Sequence, residues 1–161
     1  MKKNRTLISP ARIRRLKVQG YCNYSDADIA EFSFGNRFAY ILCSSILLIG
    51  VVTSNIPILA VMMIIALFGV ILPFHPFDYV YNYVLAGRMH KPKLPPRSNQ
   101  LKFACAIATV MIGITIYLFY SGLNIAGYAV GGSLFLVALL VSSTDICIPS
   151  IMHNFIFKVK V

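Results

Sequence analysis

Residues 38–77 read FAYILCSSILLIGVVTSNIPILAVMMIIALFGVILPFHPF, and this run of 40 residues between Arg37 and Asp78 contains no Asp, Glu, Lys or Arg. A second uncharged window of 42 residues separates Lys102 from Asp145. A helix crosses a bilayer in roughly 20 residues, so each window is long enough for two spans and the turn between them. A charge at the centre of a span costs roughly 2.5–3.5 kcal/mol on the insertion scale. All 15 Lys and Arg residues and all 5 acidic residues lie outside both windows. With 58% apolar residues and a mean hydropathy of +0.74, the chain of 161 residues lacks the polar surface of a soluble domain. The reading is an all-α integral membrane protein, a four-helix bundle of two tandem transmembrane hairpins.

The hairpins are placed at about 38–74 and 103–144. Ser54-Asn55-Ile56-Pro57 turns the first, with Asn55 as cap and Pro57 in a first helical turn, and Ser121-Gly122-Leu123-Asn124 turns the second. Residues 1–34 form a separate region ahead of the four-span domain at 35–161. Residues 1–20 hold seven Lys or Arg and no acid, which predicts a flexible basic arm against anionic lipid headgroups. Ser25 and Asp28 fit an S-x-x-D helix start, and Gly35 or Asn36 would end that short interfacial helix before the first span.

Eight Lys or Arg precede the first window, five follow Asp78 up to Lys102, two close the chain, and the two turns carry none. The positive-inside rule then predicts a multi-pass protein of the bacterial inner membrane with both termini cytoplasmic. No apolar segment precedes a small-residue cleavage site, so no cleavable leader is expected. The net charge of +10 flanks the membrane and does not form a nucleic-acid surface, so no nucleic acid is expected as a partner. All four cysteines fall toward the reducing side, and no structural disulfide is expected.

The two halves correspond. Asn36-Arg37-Phe38-Ala39 opens one hairpin and Leu101-Lys102-Phe103-Ala104 the other; Asp78 beside Pro76 ends the first, and Asp145 before Pro149 ends the second. Each is followed by an apolar segment, DYVYNYVLAG or SIMHNFIFK, expected to lie as a helix at the cytoplasmic interface. Two spans per unit make the repeat parallel.

Taken in order, Asn36-Arg37-Phe38-Ala39, HPFDYVYN at 75–82, Pro95-Pro96-Arg97 and Cys147-Ile148-Pro149-Ser150 resemble the bacterial four-span proteins of domain-of-unknown-function family 4395, over residues 35–157. The resemblance implies the fold and no established activity. It also implies a C-x-x-C pair at the exit of the fourth span, of which this chain keeps Cys147 and replaces the second thiol with Ser150.

Five groups of residues stand out as candidates for chemistry, ion pairing or packing. His75 and Asp78, three apart, fit either a metal or proton-handling pair or a helix start, with Arg37 as an ion-pair partner for Asp78. Cys147 with Asp145, Ser150 and His153 fits a reactive thiol, since a helix start before Pro149 favours thiolate. Cys147 and His153 with His75 and Asp78 form a weak candidate metal set, although C-x5-H matches no standard motif. Arg37, Asp78, Lys102 and Asp145 are expected at the membrane interface as ion-pairing groups. Gly127 and Gly131 make a G-x-x-x-G pair for close helix packing.

No catalytic triad, paired carboxylates or phosphate-binding glycine loop is present, which leans against an enzyme, and no cofactor is predicted. The leading reading is a non-enzymatic scaffold or accessory component touching lipid and a membrane-protein partner; the alternative is a thiol or sulfur-handling accessory using Cys147, and the second alternative is small-solute transport. The last finds only Ser44, Ser45, Thr109 and Thr115 at membrane depth, hydroxyls that can bond their own helix.

Overall fold

The computed structural model describes residues 8–159, and these form helices joined by short irregular segments, with no strand among them. Helix α1 (Pro10–Leu16) starts where the Ser9 side chain accepts from the Arg12 N–H and Pro10 occupies the first turn. It runs on as a π-type turn over Lys17–Tyr21, in which Gly20 has a φ of 98° that favours glycine. Helix α2 (Asp26–Val52) begins with the expected capping box between Ser25 and Asp28.

The helix does not stop at Gly35 or Asn36; α2 continues unbroken for 27 residues. Gly35 instead lies against Tyr81, since a Cβ there would sit 2.5 Å from a ring carbon of that side chain. Asn36 is buried with its side chain bonded to Tyr21 and Gln19. Both residues suit a helix stop in sequence, and both are used for tertiary packing. At 1.5 Å per residue α2 is about 40 Å long, some 10 Å more than the thickness of a bilayer's hydrocarbon core.

Helix α3 (Ile56–Ile71) is capped by Asn55, whose Oδ1 accepts from the Ile58 N–H at 3.0 Å. The chain then turns by 80° into a broken helix made of α4 (Pro76–Val80), a π-type turn at Tyr81–Leu85 and α5 (Ala86–Arg88). After a proline-rich connection come α6 (Asn99–Tyr120), α7 (Asn124–Thr144) and the short α8 (Ile148–Ile156). Helices α2, α6 and α7 are each long and apolar enough to cross a membrane, and α3 with its bent continuation makes a fourth candidate.

The most extensive packing joins distant segments: α3 lies on α6 and α2 on α7, while α2 also touches α3 and α6 touches α7. Leu47, Leu59, Met62, Ile112, Phe119 and Leu134 fill the space between these four helices. Gly127 accommodates the Phe119 ring, and Gly131 lies against Val51 and Thr115. Val61, Ile64, Leu67, Phe68, Val110 and Leu136 point outward, the surface a lipid-facing helix needs. Ser44, Ser45, Thr109 and Thr115 each bond a carbonyl three or four residues back in their own helix.

Residues 8–21 are not a loose arm. Leu16 and Tyr21 join a second apolar cluster with Ile29, Phe32, Tyr81 and Leu101, and Gln19 is fully buried. The expectation for residues 1–7 lies outside the described residues.

Candidate functional site

The site begins where α3 gives way to α4. His75 has extended backbone and caps α4, with Pro76 in the first turn and Asp78 returning a carboxylate oxygen to the His75 N–H at 3.1 Å. The His75 Nδ1 accepts from the Phe77 N–H at 3.3 Å. Nδ1 is therefore unprotonated, and the proton of the neutral ring lies on Nε2, which faces the Cys43 sulfur at 3.8 Å. The helix-start reading describes the backbone here, but the ring also points into the interior, where it is 3% exposed.

Asp78 is held by Arg97, not by Arg37. The Arg97 backbone N–H donates to the Pro73 carbonyl at 2.8 Å, which fixes the proline-rich connection under α4. Its Nε and one terminal nitrogen then donate to the two Asp78 oxygens at 2.6 and 3.1 Å. Burial alone works against the guanidinium charge; the Asp78 carboxylate offsets it and holds Arg97 above its ordinary value. Among the described residues the remaining nitrogen, Nη1, has the Cys105 sulfur as its hydrogen-bond partner, at 4.0 Å, and the guanidinium lies over the Tyr40 ring at 5.6 Å. Gly69 makes this assembly fit, since a Cβ there would sit 2.6 Å from the His75 ring and 2.9 Å from Cys105 Sγ.

These groups roof a cavity of about 110 Å³ between α2, α3, α6 and α7. Its polar end is formed by Tyr40, His75, Arg97 and three thiols, Cys43, Cys105 and Cys147. Leu47, Met62, Ile112 and Leu134 close the other end. The space exists because Ala39, Ala66, Ala104, Ala108 and Ala138 line it where larger side chains would fill it. Cys147 is the N-cap of α8 and 4% exposed. The thiolate expected there is not favoured: burial pushes the Cys147 thiol above its ordinary value, because the helix start lies inside the protein and not in water. Ser150, three residues on, is fully buried, and its hydroxyl makes no hydrogen bond of ordinary geometry among the described residues.

A second buried cluster stands beside the chamber. Asp145 ends α7 in the left-handed conformation at φ 60°. Its carboxylate receives Arg12 at 2.7 Å and Arg37 at 2.5 and 3.0 Å. Arg37 also donates to Ser143 O, Arg15 to Thr144 O and Gln19 to Asp145 O, so cations and an amide complete the carbonyls at the negative end of α7. Gln19 further connects to Asn36 and Tyr40, and its carbonyl accepts from Ser98. The strap at 8–21 is thereby tied to α2, α6 and α7 at the end of the chamber. Lys102 makes no ion pair among the described residues.

The proposed metal set does not assemble. Asp78 is taken up by Arg97, and His153 packs edge-on against Phe103 and tilted against Phe157. Among the described residues no three His, Cys, Asp or Glu side chains gather closely enough to hold a metal ion.

Residues 34–158 match the family model described as Domain of unknown function (DUF4395). The chain belongs to this family. No curated protein and no solved structure matches it significantly. The matched segment contains every residue that lines the chamber, whereas Arg12 and Gln19 of the strap precede it. Of the residues singled out in the sequence, His75 and Cys147 reach the chamber directly and Asp78 supports it through Arg97. Sequence reasoning passed over Tyr40, Cys43, Arg97 and Cys105. Arg97 stood in the Pro95-Pro96-Arg97 segment that carried the family likeness, which was the one available signal.

Proposed function

We propose that this chain is a four-span protein of the inner membrane, built as a bundle of two tandem hairpins, that handles thiols in a chamber at its cytoplasmic end. The observation that carries this reading is the convergence of Cys43, Cys105 and Cys147 on one cavity with an imidazole N–H and a guanidinium nitrogen beside two of the sulfurs. A scaffold requires no such convergence, and a transport path for polar solutes requires polar groups along its length, whereas this cavity is apolar at its far end.

The ion pairs support the repeat. Arg37, at the opening of the first hairpin, binds Asp145 at the close of the second. Arg97, just before the second hairpin, binds Asp78 at the close of the first. The caps of the two re-initiated helices, His75 and Cys147, both face the chamber. Cysteine-accessibility mapping of residues 88–93 and 158 tests the shared cytoplasmic side; opposite sides would refute it.

In this reading Cys147 exchanges with a small disulfide. Its sulfur bonds one sulfur of the disulfide, the S–S bond breaks, and the leaving thiolate takes the proton that Cys147 gives up. Cys43 or Cys105 then attacks the mixed disulfide and releases the second thiol, so the chamber is oxidised by two electrons as the small disulfide is reduced to two thiols. The His75 N–H beside Cys43 and the Arg97 nitrogen beside Cys105 steady the charge on those sulfurs in the second step. Ser150 is not the resolving group; thiols from α2 and α6 take the place of the second cysteine of a C-x-x-C pair. Incubating the reduced full chain with 2-hydroxyethyl disulfide at a pH above the ordinary thiol range, where the buried Cys147 ionises, and mapping the products tests this. Cross-links from Cys147 to Cys43 or Cys105 are expected, and modification confined to the exposed Cys22 would end the proposal.

A further inference from the structure

The chamber has a chemical polarity that limits what can enter it. Its polar end offers N–H groups and only weak acceptors, the thiol sulfurs: among the described residues Arg97 Nη1 has no oxygen partner, and His75 Nε2–H faces a sulfur. Tyr40 directs its hydroxyl to Gln19, and the nearest carboxylate, Asp78, is fully engaged by Arg97 and the His75 N–H. A donor-rich pocket selects a hydrogen-bond acceptor. The charge balance narrows the choice further. Arg97 and Asp78 neutralise each other, and the imidazole is neutral in the tautomer the hydrogen bonds impose. An anion would leave one uncompensated buried charge, and a cation would meet only N–H groups; both are costly in a site this dry.

Size and shape supply the rest. A cavity of about 110 Å³ lies well below the volume of a drug-sized pocket. The end away from Arg97 is hydrocarbon, formed by Leu47, Met62, Ile112 and Leu134. We infer that the chamber binds a small neutral molecule with a carbonyl-type acceptor head at Arg97 and His75 and a short apolar body against α3, α6 and α7. This deepens the thiol reading, on which its relevance to chemistry rests, by naming the class of molecule brought beside Cys43, Cys105 and Cys147.

N-Ethylsuccinimide is a suitable probe: it is neutral and unreactive toward thiols, and it has two carbonyls and nine non-hydrogen atoms. Saturation-transfer NMR on the full chain in detergent should show magnetisation passing to its ethyl group. The transfer should disappear in Ala108→Leu, which fills the cavity without touching a polar group. N-Ethylsuccinimide should also slow methyl methanethiosulfonate modification of Cys147 by about fivefold or more. Ethyltrimethylammonium and ethylcyclopentane, a cation and a hydrocarbon of similar size, should do neither. The paired variant Asp78→Asn with Arg97→Gln should lose the discrimination between the imide and the hydrocarbon. Absence of transfer, transfer that survives Ala108→Leu, or equal protection by the cation or the hydrocarbon would overturn the inference. If 2-hydroxyethyl disulfide yields the internal cross-link while the imide shows no transfer, the binding inference alone falls. If the imide binds as described but no cross-link forms, the thiol function falls and the binding site stands.

Discussion

Replacing Asp78 with Asn removes the one carboxylate available to Arg97. The Arg97 side chain is 4% exposed, so the freed guanidinium has no route to water. Breaking a buried pair by removing one partner typically costs about 3–5 kcal/mol, because the other charge stays behind uncompensated. For a chain of this size each kcal/mol moves a melting midpoint by about 2–4 °C, so Asp78→Asn should lower it by about 6–20 °C. Asp145→Asn provides the control. Its carboxylate is equally buried, but Arg12 and Arg37 are 21% and 28% exposed and can turn to solvent. Its loss should cost about 1–2 kcal/mol, the range of charge-assisted hydrogen bonds discounted for solvent access. Far-UV circular dichroism melts of the three proteins in one detergent give the comparison. Asp78→Asn with Arg97→Gln should recover most of the loss, since it removes both charges and keeps a side-chain oxygen near the His75 N–H. A destabilisation no larger for Asp78→Asn than for Asp145→Asn, or a double variant no better than the single one, would refute the claim that Arg97 is sealed from water.

Gly35→Ala should destabilise by about 1–3 kcal/mol through overpacking against Tyr81, whereas a mid-helix glycine away from contacts would gain from the same change; chemical denaturation separates the two. Ser98→Ala should cost about 1 kcal/mol or more in the same assay, since the hydroxyl both accepts from the Leu101 N–H and donates to the Gln19 carbonyl. At neutral pH, Cys147 should react with a charged maleimide more slowly than the exposed Cys22. Because burial raises the Cys147 thiol, its rate with a small neutral reagent should begin to climb only as pH passes above the ordinary thiol range. Time-resolved mass mapping reads both sites at once, and equal rates for the two would contradict the burial argument.

Hydropathy along the chain was enough for the helical class and for the candidate spans and their turns, because exclusion of charge from lipid acts on each segment by itself, although α2 starts at Asp26 and not near Phe38. Local chemistry likewise located the starts of α2, α3 and α4 at Ser25, Asn55 and His75, where a side chain caps N–H groups two or three residues away. Which arginine meets which aspartate was not legible. The chain order favours Arg37 with Asp78, while the packing of α2 on α7 brings Arg37 to Asp145 and leaves Asp78 to Arg97. Gly35 could be a stop or a contact until Tyr81 was placed against it. The chamber depended wholly on tertiary structure, since its three thiols stand at positions 43, 105 and 147 with no shared motif. A segment's preference for lipid is a property of its own residues, whereas a cavity is a property of the helices that surround it.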